Sequence, residues 1–190
     1  MKKHIMQCLV TASIVVAGLI APANVKAQET KKEEKQEQKR DDDIEHCKET
    51  RATFIKTDPM LKNLFENSAG YVIFPSIGKG AMGVGGATGN GILFEKGKAD
   101  GKANMTQVTV GLQAGGKVYS EVIFFESQES LKNFKDSKFE FTGQVSAVAV
   151  KAGVSANMKY KEGVAVFTQE KGGLMYEASV GGQKFTYNAY

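Results

Sequence analysis

AGYVIFPSIGKGAMGVGGATGNGILF, residues 69–94, decides the fold. Tyr71-Val72-Ile73-Phe74 is a short β run closed by Pro75. Seven glycines then fall between Gly78 and Gly91. No helix survives that density, because each interior glycine disfavours a helix by about 1 kcal/mol relative to alanine. The apolar spacing is two, not 3.6. Ala81 to Ala87 and Ile92-Leu93-Phe94 read as strands around a turn at Gly89-Asn90-Gly91, since Asn-Gly is a hairpin signal.

The same period continues downstream. Lys96 to Lys102 reads as a turn with Asp100-Gly101 at its tip, and Val108, Val110 and Leu112 alternate with polar or small residues. Val118 to Phe125 follows, then a short helix over 127–135 with Leu131 and Phe134 facing in. Phe139 to Ser155, Val164 to Phe167, Leu174 to Val180 and Phe185 to Tyr187 complete eight or nine strands with Gly-rich turns. The expected fold is mainly β with N-terminal helices (α+β), an antiparallel Gly-rich barrel or sandwich. Gly83, Gly85, Gly86, Gly111 and Gly153 inside strand-like runs fit tight corners or close backbone approach.

Upstream the period is helical. Ile44, Cys47, Arg51, Phe54 and Ile55 share one face, with Arg51 the polar exception. Asp58-Pro59 is a helix start, leading into Met60, Leu61, Leu64 and Phe65. Packing on the domain is the favoured reading of this stripe, and dipping into a membrane surface the sharper one.

The N-terminus reads as a cleaved secretory signal over 1–27. Lys2 and Lys3 precede an apolar stretch from Cys8 to Ala21, and Val25-Lys26-Ala27 suits cleavage. Export to a periplasmic or cell-envelope location is expected. Residues 28–43, QETKKEEKQEQKRDDD, contain nothing apolar to bury and read as a charged disordered linker or a frayed helix. The domain then spans 44–190. Residues 28–50 carry nine acids against six bases, and residues 51–190 sixteen bases against twelve acids. The folded part is thus mildly basic. Cleavage leaves Cys47 as the one thiol, expected to be half-buried and structural, with an intermolecular disulfide as the minor alternative.

Enzyme motifs fail on context. Gly78-Lys79-Gly80-Ala81-Met82-Gly83 matches a dinucleotide loop, but no helix can follow to face a pyrophosphate. Gly111 to Lys117 begins a Walker-type loop, yet Val118 stands where a Ser or Thr hydroxyl belongs. His46 and Cys47 are neighbours on a helix and point apart, so neither a zinc site nor a Cys-His pair is expected. No catalytic residue, metal or cofactor is therefore assigned; an acid pair in space stays open as an alternative. Weak net charge and the absence of Trp argue against nucleic acid.

The lysines carry the functional reading. Lys79, Lys96, Lys98, Lys102 and Lys117 all fall at expected turns or strand ends. Gathered at one end of a barrel they form a basic rim, where each ammonium near an anionic membrane contributes about 1 kcal/mol. Plain solubility is the competing explanation.

Ordered blocks across the chain resemble the SYLF domain, a lipid-binding family. They are Ala69 to Pro75, Gly78-Lys79-Gly80, Gly85 to Gly91, Val110 to Gly116, Glu121 to Phe125 with the helix after it, and Gly173 to Gly182. Members are known for binding phosphoinositides and other phospholipids, and some bind actin. The chain departs from many relatives at Lys102 to Thr106, which lacks an aromatic. The resemblance implies a non-enzymatic domain that binds anionic phospholipid headgroups at an envelope membrane surface. The resemblance carries this onto Lys79 and the glycine block, Gly85, Gly86, Gly89 and Gly91; with the turn lysines Lys96, Lys98, Lys102 and Lys117 these are the expected lipid-binding residues, and Phe65 or Met60 adds insertion. The alternative is a structural or interaction domain that meets an envelope protein through exposed β edges.

Overall fold

The computed structural model describes residues 22–82, 84–110, 117–137, 140–141, 146–171 and 182–190. The chain divides into two compact units at Gln38 and Lys39, and the architecture below is that of the second, Lys39–Tyr190. Residues 1–21 of the expected export signal lie outside the described residues. Helix α1 runs Pro22–Thr57, so the charged tract 28–43 is helical, with residues 31–39 exposed throughout. None of the described helices is long and apolar enough to cross a membrane.

Cys47, Thr50 and Phe54 are buried at helical spacing on α1, with Ile44 and Ile55 partly buried beside them. The Arg51 guanidinium lies 5.0 Å from the Phe65 ring centroid, which explains a cation on an apolar face. Pro59 ends the helix. The Asp58 carbonyl then receives Leu61 N, and its Oδ1 receives Met60 N at 3.2 Å, starting α2, Leu61–Asn67.

Four long antiparallel strands follow: β1 Gly70–Met82, β2 Val84–Glu95, β3 Lys98–Val110 and β4 Lys117–Phe125. Helix α3, Gln128–Lys135, is capped by Ser127, whose hydroxyl accepts from Ser130 N. Short β5, Val148–Ala149, a 3-10 turn at Val154–Asn157, β6, Val164–Glu170, and β7, Gln183–Ala189, complete the chain. The sheet order is β5-β6-β4-β1-β2-β3-β7.

The sheet has two apolar faces. Val72, Phe74, Ile123, Phe125, Val166 and Phe185 belong to an interior cluster closed by α3 through Leu131 and Phe134. Tyr71, Ile73, Ile92, Val122 and Phe124 face outward against α1 and α2. The sheet curls enough for Gln183 on β7 to donate to Glu121 on β4 across the interior, at 3.2 Å. It is nevertheless not a closed barrel. At the two edges, Glu140 bridges Lys184 on β7, and Val148 pairs with Phe167 on β6.

Three local expectations are corrected. Gly89-Asn90-Gly91 is not a turn but mid-strand in β2, with Asn90 opposite both Ser76 and Asn104. These glycines serve close approach: a Cβ at Gly89 would sit 2.7 Å from Ile77 Cγ1, and one at Gly91 2.7 Å from Phe74 Cδ1. The hairpin turn is Lys96-Gly97, with φ of 50° and 76°, both positive as a primed turn requires. Asp100, expected at a turn tip, is an extra residue at a bulge, since Leu93 pairs with Gly101 and Phe94 with Ala99. Among the described residues of the run expected to pair from Phe139 to Ser155, residue 140 bridges β7 and 148–149 pair with β6; Gly153, at φ 75°, turns the chain into the 3-10 segment. The strand expected over 174–180 lies outside the described residues.

Candidate functional site: a cleft beneath the first helix

Helix α1 crosses the outer face of the sheet and leaves a cleft of about 350 Å³ on its β1–β2–β3 side. Lys39, Asp43 and His46 border it from the helix, and Ser76, Asn90, Lys102 and Asn104 from the strands. The alternation of the sheet makes this wall polar. Ser76, Asn90, Lys102 and Asn104 occupy outward positions above Ile73, Ile92 and Phe94, where the apolar packing of α1 and α2 begins. A bulge between Ile73 and Ser76 shifts the register at that boundary. Gly91 lines the same wall.

Two lysines and a histidine border the cleft, with one acid. Lys102 Nζ lies 3.1 Å from Asp43 Oδ2, both about two-fifths exposed, which pins α1 to β3. Cys47 forms part of the lining, its Sγ donating weakly to the Ile73 carbonyl at 3.6 Å. Burial pushes this thiol up to about 12, against a smaller opposing effect of a backbone contact with Ile92, and Asp43 adds to the rise. The cysteine is fully buried rather than half-buried, and free. A second cleft of about 260 Å³ lies between α1 and the β4–β6 side, bordered by Glu49, Thr53, Gln169 and Lys171, and shares His46.

The expected rim of five lysines does not form. Lys79 and Lys117 lie opposite each other in the β1–β4 register, near the far ends of those strands. Lys96 and Lys98 sit at the other end, at the turn beside Glu95. Eight residues separate Tyr71, at the level of that turn, from Lys79, roughly 25 Å of extended strand. A sequence reading assigns residues to turns but not turns to ends, because the turn at 89–91 that was expected would have reversed the direction. Lys102 lies between the two pairs, in the cleft. The side chains of Lys79 and Lys117, and the surroundings of Gly85, lie outside the described residues; Gly85 is opposite Ala81 and Thr109. Gly86 is exposed opposite Val108, while Gly89 and Gly91 are buried. Phe65, expected to insert, is buried with edge contacts to Tyr71 and Phe124 at 4.9 and 4.8 Å; Met60 is exposed.

Among the described residues two carboxyls are fully buried, and they share no partner. Asp58 Oδ2 accepts from Ser155 N at 2.9 Å and Ser155 Oγ at 2.7 Å. Burial pushes its pKa up, but these bonds and the Met60 amide outweigh it and hold the group below its ordinary range. Glu121 accepts only from Gln183, and burial pushes it up to about 8 despite that bond. Sequence reasoning missed Glu121. The signal was its in-phase position among Tyr119, Ile123 and Phe125, all interior residues of β4. Lys39, His46 and Asn104 were missed because helix and strand meet only in three dimensions.

Two comparisons bear on this architecture. Residues 106–189 match the model of the Ysc84 family, described as Las17-binding protein actin regulator. Beta cell expansion factor A from Aeromonas veronii is 31% identical over 129 residues, covering 67% of this chain and 49% of that protein. The chain thus spans about half the length of that relative.

Proposed function

Because the chain belongs to the SYLF (Ysc84) family, we propose that it acts as an exported, non-enzymatic domain that binds anionic phospholipid headgroups at an envelope membrane surface. The single observation that carries this reading is the polar cleft under α1, where Lys39 and Lys102 outnumber Asp43. Its volume is at the lower end of small-ligand sites, enough for a phosphodiester headgroup. Asn90 and Asn104 add amide donors without adding charge. Export rests on the Lys2, Lys3 and apolar pattern of residues 1–27. Edge-strand capture of a protein is the weaker reading, since Glu140 and Val148–Ala149 already occupy part of the two sheet edges.

Co-sedimentation with phosphatidylglycerol vesicles, against phosphatidylcholine vesicles, tests the proposal. Lys39→Gln with Lys102→Gln removes two ammonium groups of about 1 kcal/mol each, so anionic-vesicle affinity falls about 30-fold. Lys96→Gln with Lys98→Gln, at the distant turn, changes it less than about threefold. Equal recovery on the two vesicle types, or an unchanged affinity of the Lys39 and Lys102 variant, refutes the cleft as the headgroup site.

A further inference from the structure

The interior of the sheet holds a second polar site, on the face opposite the cleft. Glu121 on β4, Thr168 on β6 and Gln183 on β7 are all fully buried there. Glu121 and Thr168 are directly opposite in the ladder, and Gln183 Nε2 reaches Glu121 Oε2 from the far side of the curl. The remaining atoms have no partner: Glu121 Oε1, Thr168 Oγ1 and Gln183 Oε1. A buried oxygen without a partner is destabilising, so three on neighbouring and facing strands favour an occupant.

The chemistry narrows what it is. All three atoms are oxygens, the donor set of a hard cation rather than of zinc or copper. No Lys, Arg or His side chain is buried among the described residues, so no protein cation answers Glu121. One carboxylate balances one positive charge. A divalent ion would leave net charge in an apolar interior, and calcium sites use several carboxylates. Among the described residues no three His, Cys, Asp or Glu side chains group as metal ligands.

We propose that Glu121, Thr168 and Gln183 form a binding site for one monovalent alkali cation of the sodium class. One proton leaves Glu121 as one cation enters, so the charge of the interior is unchanged. Strands β6 and β7 lie toward opposite edges of the sheet, with β4 between β6 and β1. The ion therefore ties together parts of the curl that no ladder hydrogen bond joins. This inference is independent of lipid binding, because none of its three residues borders the cleft.

Thermal unfolding of the full chain at fixed pH and ionic strength, in sodium, potassium or choline chloride, tests it. The midpoint in sodium chloride stands about 5 °C above that in choline chloride, as expected for a ligand near saturation. Glu121→Gln keeps the side-chain volume and gives one midpoint in all three salts. Thr168→Val removes one ligand oxygen and raises the half-saturating sodium concentration about tenfold. Sodium NMR line broadening by the native protein, absent with Thr168→Val at low sodium, decides the matter if Glu121→Gln does not fold. Identical native midpoints in sodium and choline, or a sodium increment retained by Glu121→Gln, or no line broadening by the native protein, overturns the proposal.

Discussion

Lys135→Met should destabilise the domain by about 2–3 kcal/mol at neutral pH. Lys135 Nζ lies 2.6 Å from Glu95 Oε2 and 2.8 Å from Asp100 Oδ2, and Tyr187 donates to the same Asp100 carboxylate. One ammonium thus joins α3 to the β2–β3 hairpin and, through Asp100, to β7. Hydrogen bonds to charged groups contribute about 1.5–3 kcal/mol each when shielded and exposed ion pairs under about 1 kcal/mol. The three side chains are 26–31% exposed, between those limits, hence the discounted total. The unfolding midpoint falls by about 5–10 °C for a chain of this length. Burial pushes Asp100 up, but the bonds from Lys135 and Tyr187 and the ammonium charge outweigh it and lower the group. Burial pushes Lys135 down, but its bonds to Asp100 and Glu95 outweigh that and raise it. The Asp100 contribution is present above the ordinary carboxylate pKa and lost as pH falls through the lowered value. The Lys135 contribution is present below the ordinary lysine pKa and lost as pH rises through the raised one. Urea unfolding followed by circular dichroism at pH 7 and in acid reads both effects. The gap between native protein and variant should be widest near neutrality and should narrow below about pH 4. A gap under about 0.5 kcal/mol, or one equally large in acid, refutes the reasoning.

Other perturbations probe separate parts of the molecule. Cys47, with its thiol pushed up to about 12, should not react with a disulfide reagent at pH 8 in the native protein and should react once denatured; stoichiometric native labelling contradicts its burial. Gly91→Ala places a methyl 2.7 Å from Phe74 Cδ1 and should destabilise by about 1–3 kcal/mol in denaturant titration. Gly78→Ala, where nothing lies within 4 Å, should change stability by less than about 0.5 kcal/mol; equal effects at the two glycines would contradict the packing argument. Asp58→Ala cuts the bonds to Ser155 and the Met60 amide and should lower stability by about 2–4 kcal/mol at neutral pH. That loss should shrink as pH falls below the ordinary carboxylate range, because the native Asp58 pKa is lowered.

Period and punctuation made much of this fold legible. The Cys47–Phe54 face, the Asp58-Pro59 break, the period-two run at Tyr71–Phe74 and the helix bearing Leu131 and Phe134 all follow from local chemistry. The errors share a cause. Glycine serves both as a turn former and as a position where a side chain will not fit, and sequence does not separate the roles. At Gly97 a positive φ decides for the turn; at Gly89 and Gly91 the nearness of Ile77 and Phe74 decides for the strand. That ambiguity added a turn at 89–91, inside β2, to the one expected over 96–102, and with it blurred the end of the sheet at which each lysine lies. The site suffered more than the fold, because Lys39 and Lys102 meet through a contact of α1 with β3 that no local pattern encodes.

The two sites draw on different parts of the chain. The family match covers 106–189 and contains Glu121, Thr168 and Gln183, whereas the cleft-lining residues run from Lys39 to Asn104 and all precede it. The family match through that segment bears on the scaffold alone. The 129 residues matched to the Aeromonas protein reach further upstream and take in the strand wall of the cleft, Ser76 to Asn104. Lys102 illustrates the division: its neighbour in the ladder, Asn188, is inside the matched segment, while its charge partner, Asp43, is on the helix outside it. Replacing Asp43 by Asn frees the Lys102 ammonium without touching the matched segment. If the cleft binds anionic headgroups, that change strengthens binding to phosphatidylglycerol vesicles by up to about fivefold, on the order of the 1 kcal/mol that one released cation contributes. Weaker binding by Asp43→Asn would mean that the pinning of α1 to β3 matters more than the charge, and that the cleft must be held in shape before it can attract a ligand.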